Sequence, residues 1–170
     1  AEGARASIGY IEEQVYATVP AANKTWTGFR FTRESLGLDI NSFESQEIRS
    51  DRMTSAVLRG NNRSDGDIAF ELGPDSHNML IGHTLMNTFT LTGPVSGIYT
   101  QTIQGGATIP TGGLCIVKQF SDIPDYLVYP GCRVDALTLD FPQEGMIGGS
   151  VRIMAKYEDS TYTTPPWNAL

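Results

Sequence analysis

Two histidines, His77 and His83, are the chain's whole supply of imidazole, and they stand six positions apart. On a helix that spacing turns them about 600° and so onto different faces, unlike the i, i+4 pair of a zinc helix. They are read as ordinary polar or partner-facing residues. A Ser-His-Asp triad would have to recruit one of them, and neither has a glycine-framed serine placed for it. The sequence holds no phosphate loop, dinucleotide fingerprint, nucleophile elbow, kinase or zincin signature. Carboxylates offer more combinations. Glu12 with Glu13, Asp122 with Asp125, Asp135 with Asp140, and Glu158 with Asp159 each suggest the acid and base of a two-carboxylate hydrolase. Neighbours on a strand face opposite sides, so Glu12 and Glu13 cannot readily share a site. Asp122 and Asp125 fall in a turn, where Asp is favoured for its backbone hydrogen bonds. Cys115 and Cys132 have no CxxC spacing and read as buried small hydrophobes, able to pair only if their strands lie side by side. No cofactor or metal is implied.

Arginine is the better lead. Four of the nine arginines, Arg49, Arg52, Arg59 and Arg63, fall in one polar span between strand-like pieces at 46–49 and 68–72. A connection longer than about 12–15 residues usually binds something or is disordered. A disordered linker would not normally carry Met53, Ala56, Val57 and Leu58 among its charges. The expectation is a protruding loop, about residues 50–66, that docks on a protein partner. Its contact residues would be Arg49, Asp51, Arg52, Met53, Val57, Leu58, Arg59 and Arg63, with the guanidiniums seeking carboxylates on a neighbour. Asp51, Asp65 and Asp67 dilute its positive charge, and no aromatics interleave for base stacking, so nucleic-acid contact fits less well.

The elements that must position this loop are mostly strands. Residues 8–15 and 26–32 alternate, and 68–72 is the clearest amphipathic strand, with Ile68, Phe70 and Leu72 opposite Asp67, Ala69 and Glu71. Pro74 and Asp75 announce a helix over 78–86, capped by Asp75 or Ser76, although Gly82 costs it about 1 kcal/mol against Ala. Strands follow at 87–92, 98–103, 114–120, 126–129, 132–141 and 150–157, with Gly93-Pro94 separating the first two and 142–149 joining the last two into a hairpin. This pattern predicts a mainly β chain: a β-sandwich or barrel with one flanking α-helix, a long protruding loop and an extended C-terminal arm. Residues 1–158 form the β domain and 159–170 the arm, where Trp167 beside two prolines is a further docking candidate.

The net charge of −7 argues against tight duplex binding, which needs a basic patch. It suits a passage that must not hold its cargo, and equally a soluble acidic domain. No run approaches the ~18 apolar residues of a membrane span, and the N-terminus shows no charged-then-apolar signal segment. Nothing directs the chain out of the cell that makes it.

The run Ser45-Gln46-Glu47-Ile48-Arg49-Ser50-Asp51-Arg52, with Gly60, Gly66-Asp67-Ile68 and Phe70-Glu71-Leu72 after it, resembles the tail tube proteins of long-tailed, siphovirus-type bacteriophages. The similarity extends through Tyr10-Ile11-Glu12-Glu13, Pro20 and Glu34-Ser35-Leu36 to the helix and the strands between 114 and 157, covering roughly residues 8–158. Gly82 and His83 depart from the more apolar, alanine-containing helix of that family. The resemblance implies a virion structural protein without enzymatic activity. Its hexameric rings would stack into a hollow tail tube, assembled in the bacterial host cytoplasm, through which DNA passes without specific binding. The implied partners are further copies of the chain and other tail proteins (tape measure, tail tip, terminator), with no membrane. The loop would contact the adjacent subunit or next ring, and Asp67 and Glu71 are candidate lumen carboxylates, or outer-surface ones. A rival reading is a monomeric β-sandwich binding carbohydrate on a platform of Trp26, Trp167 and the seven tyrosines.

Overall fold

The computed structural model describes residues 6–21, 24–45, 57–73, 76–120, 122 and 125–163. Its elements in chain order are β1 (Ala6–Glu12), β2 (Thr27–Phe29), β3 (Arg33–Glu34), β4 (Gly37–Glu44), β5 (Val57–Glu71), α1 (Asn78–Leu85), β6 (Thr90–Val95), β7 (Ile98–Thr102), β8 (Leu114–Phe120), β9 (Asp125–Asp140), β10 (Gly148–Ala155) and β11 (Asp159–Tyr162). The expected β-rich architecture with one flanking helix is what forms.

All pairings are antiparallel, and β9 organises them. Its first half pairs with β8, which pairs with β1 and then β2. Its second half pairs with β10, which pairs with β5, flanked by β3 and β4. The strand passes from one half-sheet to the other at Pro130 and Gly131, where Gly131 takes φ +68°, a conformation that glycine adopts without Cβ strain. This explains why 126–129 and 132–141 look like separate strands in the sequence. The two half-sheets enclose one core, in which Ile8, Tyr10, Leu114, Ile116 and Tyr129 meet Ile68, Phe70, Val151 and Ile153.

A second core lies on the other side of the β1–β8–β9 half-sheet, built from Trp26, Cys115, Val117, Tyr126 and Val128. With both faces covered, β8 needs a continuous apolar run, and Leu-Cys-Ile-Val supplies it. The two cysteines show the same division. They sit on adjacent strands but in different cores, both remain free thiols, and burial pushes both up in pKa, away from the reactive thiolate.

Helix α1 buries Leu80 in the main core. Its N-cap is His77, with no side-chain cap hydrogen bond, in place of the expected Asp75 or Ser76; Asp75 lies outside the described residues. Ser76 instead shares a 2.9 Å hydrogen bond with His77 Nδ1. Gly82 has a steric cause: a Cβ there would stand 2.8 Å from the Asn87 carbonyl oxygen, where the chain turns back past the helix. The expected break at Gly93-Pro94 falls inside β6, and the turn comes later, at Ser96 and Gly97.

Candidate assembly surfaces

Strand β5 is fifteen residues long, and the register shows where it leaves the body. Its partner β10 ends at Ala155, opposite Ser64. Residues 57–63 continue past that point with β4 as the only strand beside them among the described residues. Thus the span expected to be loop as far as 66 is strand from Val57 onward, and the projection is a long hairpin, β4 with β5. On it Ile40, Phe43 and Leu58 are exposed, Phe43 and Leu58 as a cross-strand pair and the Phe43 ring lying over Gly60. A lone two-stranded ribbon is marginal in water, so this one calls for a partner.

Of the proposed contact residues, Leu58, Arg59 and Arg63 lie on this hairpin strand, as does the backbone of Val57. Arg59 donates to the Asn62 side-chain carbonyl at 3.3 Å, and Arg63 pairs with Asp65 at 2.8 Å. Arg63 therefore has a carboxylate within its own strand. Arg49, Asp51, Arg52, Met53 and Trp167 lie outside the described residues. The arm expected at 159–170 begins as strand β11, which pairs with β9 at Val128 and Tyr126.

Asp67 and Glu71 are exposed, opposite the buried Ile68 and Phe70, as the alternation requires. Asp39 faces Arg63 across the β4–β5 pair, Arg152 faces Asp67, and Gly148 joins Glu71 to Asp140. Arg152 also reaches Asp65 at 3.3 Å and Asp135 at 3.6 Å. One face of the β9–β10–β5–β4 half-sheet, with β3 beside β5, thus carries six carboxylates, Asp39, Asp65, Asp67, Glu71, Asp135 and Asp140, against the four guanidiniums of Arg33, Arg63, Arg133 and Arg152. Among the described residues both edges of this half-sheet are open: beyond Cys132 no described strand lies on the outer side of β9, and none lies beyond β4.

The pairs weighed for acid–base chemistry do not converge. Glu12 is exposed and stands 3.6 Å from His83 Nε2. Glu13 is buried and accepts from the Ala17 N–H at 2.7 Å and the Gly131 N–H at 2.8 Å, fastening the loop after β1 to the bend of β9. Asp135 binds Arg152, Glu158 accepts from the Tyr129 hydroxyl at 2.7 Å, and Asp159 caps Thr161. Glu34 and Lys118 form a 2.7 Å ion pair, and Lys118 also donates to the Leu36 carbonyl. His77 is buried, stacked 4.3 Å from the Phe70 ring and edge-on to Phe29; burial pushes its pKa down, and the same holds for His83. Among the described residues no group of three or more His, Cys, Asp or Glu could hold a metal ion. Among them too, no helix is long and apolar enough to cross a membrane. Trp26 is 3% exposed, inside the second core, so it cannot serve as a carbohydrate-stacking platform.

Sequence reasoning missed the open half-sheet itself, since nothing in residues 57–66 alternates in hydrophobicity. It also missed a groove of about 500 Å³ beside α1, walled by Met79, Met86, Phe89, Ile109 and Pro110.

Among curated proteins no sequence match was found. Several solved assemblies share the fold. The anti-feeding prophage baseplate chain aligns at a TM-score of 0.63 with 6% identity, covering 97% of each chain. A chain from the tail of an empty GTA particle gives 0.61 with 7% identity over 95% of this chain and 98% of that one. The SPP1 tail tube gives 0.60 with 8% identity over 97% of this chain and 81% of that one. At such identities these likenesses show the fold alone. The sequence carries the rest: the family model described as phage tail tube protein matches residues 3–169, and the chain belongs to that family of tail structural proteins.

Proposed function

We propose that this chain is the repeating subunit of a phage tail tube, closing into six-membered rings that stack into a conduit for DNA. The observation that carries this reading is a half-sheet, β9–β10–β5–β4, with one face on the core, the other exposed and acidic, and both edges unpaired. Open edges demand a partner strand, and the simplest one is the opposite edge of another copy. The 133–140 edge of β9 would pair with the β4 edge of the next subunit. Such a contact is heterologous, and it closes a ring when the rotation allows. Four strands from each of six copies make a barrel of roughly 24 strands, wide enough for an open lumen. The acidic face then lines the bore, with Asp67 and Glu71 repelling phosphate so that DNA slides without sticking. The β4–β5 hairpin, with Leu58, Arg59 and Arg63, reaches the adjacent subunit or next ring, and the segments carrying Arg49, Asp51, Arg52, Met53 and Trp167 extend that contact. The role is structural and not catalytic. Tape measure, tail tip and terminator proteins are the further partners, and the virion tail, built in the host cytoplasm, is the location.

Sizing and electron microscopy of the purified protein, raised to millimolar strength, test this reading. Rings or tubes with a stained central hole are expected. A monomer at every concentration and salt, even with tail initiator proteins added, would overturn it.

A further inference from the structure

The β6–β7 hairpin has no role in ring closure through sheet edges, yet it carries a cluster of exposed apolar side chains, Leu91, Val95, Ile98 and Tyr99. From residue 76 to residue 117 the sequence contains no Asp, Glu, Lys or Arg. This hairpin lies in the middle of that uncharged stretch. Its two-residue turn is Ser96 (φ 53°) and Gly97 (φ 81°), the positive-φ pair that matches strand twist. Every residue of both strands is exposed, with Val95 and Ile98, at 72% and 69%, forming a cross-strand pair next to the turn. Exposed edges are normally guarded by charge or cover, and here there is no charge.

The groove beside α1 supplies a matching cover. Its walls come mostly from the same uncharged stretch, with Glu12 and His83 at one side. At about 500 Å³ it falls in the ~300–1,000 Å³ range of pockets that enclose a small ligand, ample for two branched aliphatic side chains. The hairpin cannot fill the groove of its own molecule. Its base is held at the rim by the Asn78 amide donating to Gln101 at 3.0 Å and by Asn87 donating to the Gln104 carbonyl at 3.0 Å, while its tip stands free in solvent.

We propose that the Val95–Ile98 tip of one copy seats in the α1 groove of a second copy. Tip and groove are different surfaces of the same chain, so the contact is heterologous and propagates around a ring or along a stack. Apolar meets apolar over most of the contact, with the Glu12 carboxylate as the one charged group among the residues lining the groove. Val95 and Ile98 share one face of the hairpin and Leu91 and Tyr99 the other, so the seated tip buries only a fraction of the ~800 Å² per partner of a stable interface, and the contact supplements the paired sheet edges. The inference rests on the tube reading only in taking the partner to be another copy.

The test replaces Val95→Lys with Ile98→Glu, a cross-strand ion pair that preserves the hairpin while charging the tip. The expected result is unchanged circular dichroism and Tm with a critical concentration for assembly raised at least tenfold. Ile109→Asp, on the groove lip, should do the same. Mixed V95C and I109C proteins, oxidised after assembly, should give a disulfide between different copies, since both native cysteines are buried. Wild-type tubes with normal assembly of both charged variants and no cross-link would overturn this inference alone, leaving the groove to a small ligand or another protein. Failure of the wild type to assemble at all would overturn the tube reading as well.

Discussion

The two half-sheets share β9 yet are built on opposite plans. The β1–β8–β9 side is apolar on both faces, closed over by Trp26 and the loop after β1, and pinned by the buried Glu13 carboxylate. The β9–β10–β5–β4 side buries one face, leaves the other wet and acidic, and runs on into a ribbon with no core beneath it. Stability of the single copy is concentrated in the first, and the surfaces left for association in the second. Substitutions in the two regions should therefore fail in different assays.

The largest effect is expected in the shared core. Leu114→Ala, at a fully buried site on β8, should cost about 3 kcal/mol of monomer stability by denaturant unfolding. Leu58→Asn on the exposed hairpin should stay within about 0.5 kcal/mol in that experiment while weakening assembly. If the Leu58 variant unfolds early, the division between the two regions is wrong. Next comes Glu13→Ala, which strips the acceptor from two backbone N–H groups and should cost about 2–3 kcal/mol with the acidic face untouched. A smaller effect is pH-dependent. Burial depresses His77 and His83, so the folded chain resists protons that the unfolded chain accepts near pH 6.5. Their contribution is complete above that pH and is lost as pH falls below it. His77→Phe should flatten the fall in stability below about pH 6.5, and an unchanged slope would mean that His77 contributes nothing to it. Smallest for folding is Asp67→Lys with Glu71→Lys, within about 0.5 kcal/mol for the monomer. In assembled particles the same pair should slow DNA release at low salt, an effect erased as salt rises.

How far the sequence alone reached follows the same division. Strand β8 is legible to the residue because burial on both faces demands an unbroken apolar run, and α1 and the inner part of β5 show their periods plainly. Residues 57–66 hide their strand because Asn61, Asn62 and Arg63 have no core to alternate against. Pro130 and Gly131 look like a break, yet they are a bend within one strand, and their meaning depends on the distant Glu13. Trp26 reads as a surface residue in a short alternating run, because a second core assembled from Cys115, Val117, Tyr126 and Val128 leaves no local periodicity around it. The exposure of Asp67 and Glu71 is legible because Ile68 and Phe70 fix which side of β5 is buried. Which residues share their face depends on register with β4, β9 and β10, and no local pattern encodes that.

Amide hydrogen exchange, compared between monomer and assembled particles, reads edge pairing at the backbone itself. Protection should rise at both open edges, 37–44 and 133–140, while 114–120 stays as protected as before. Assembled particles whose two edges exchange as freely as the monomer's would contradict that pairing.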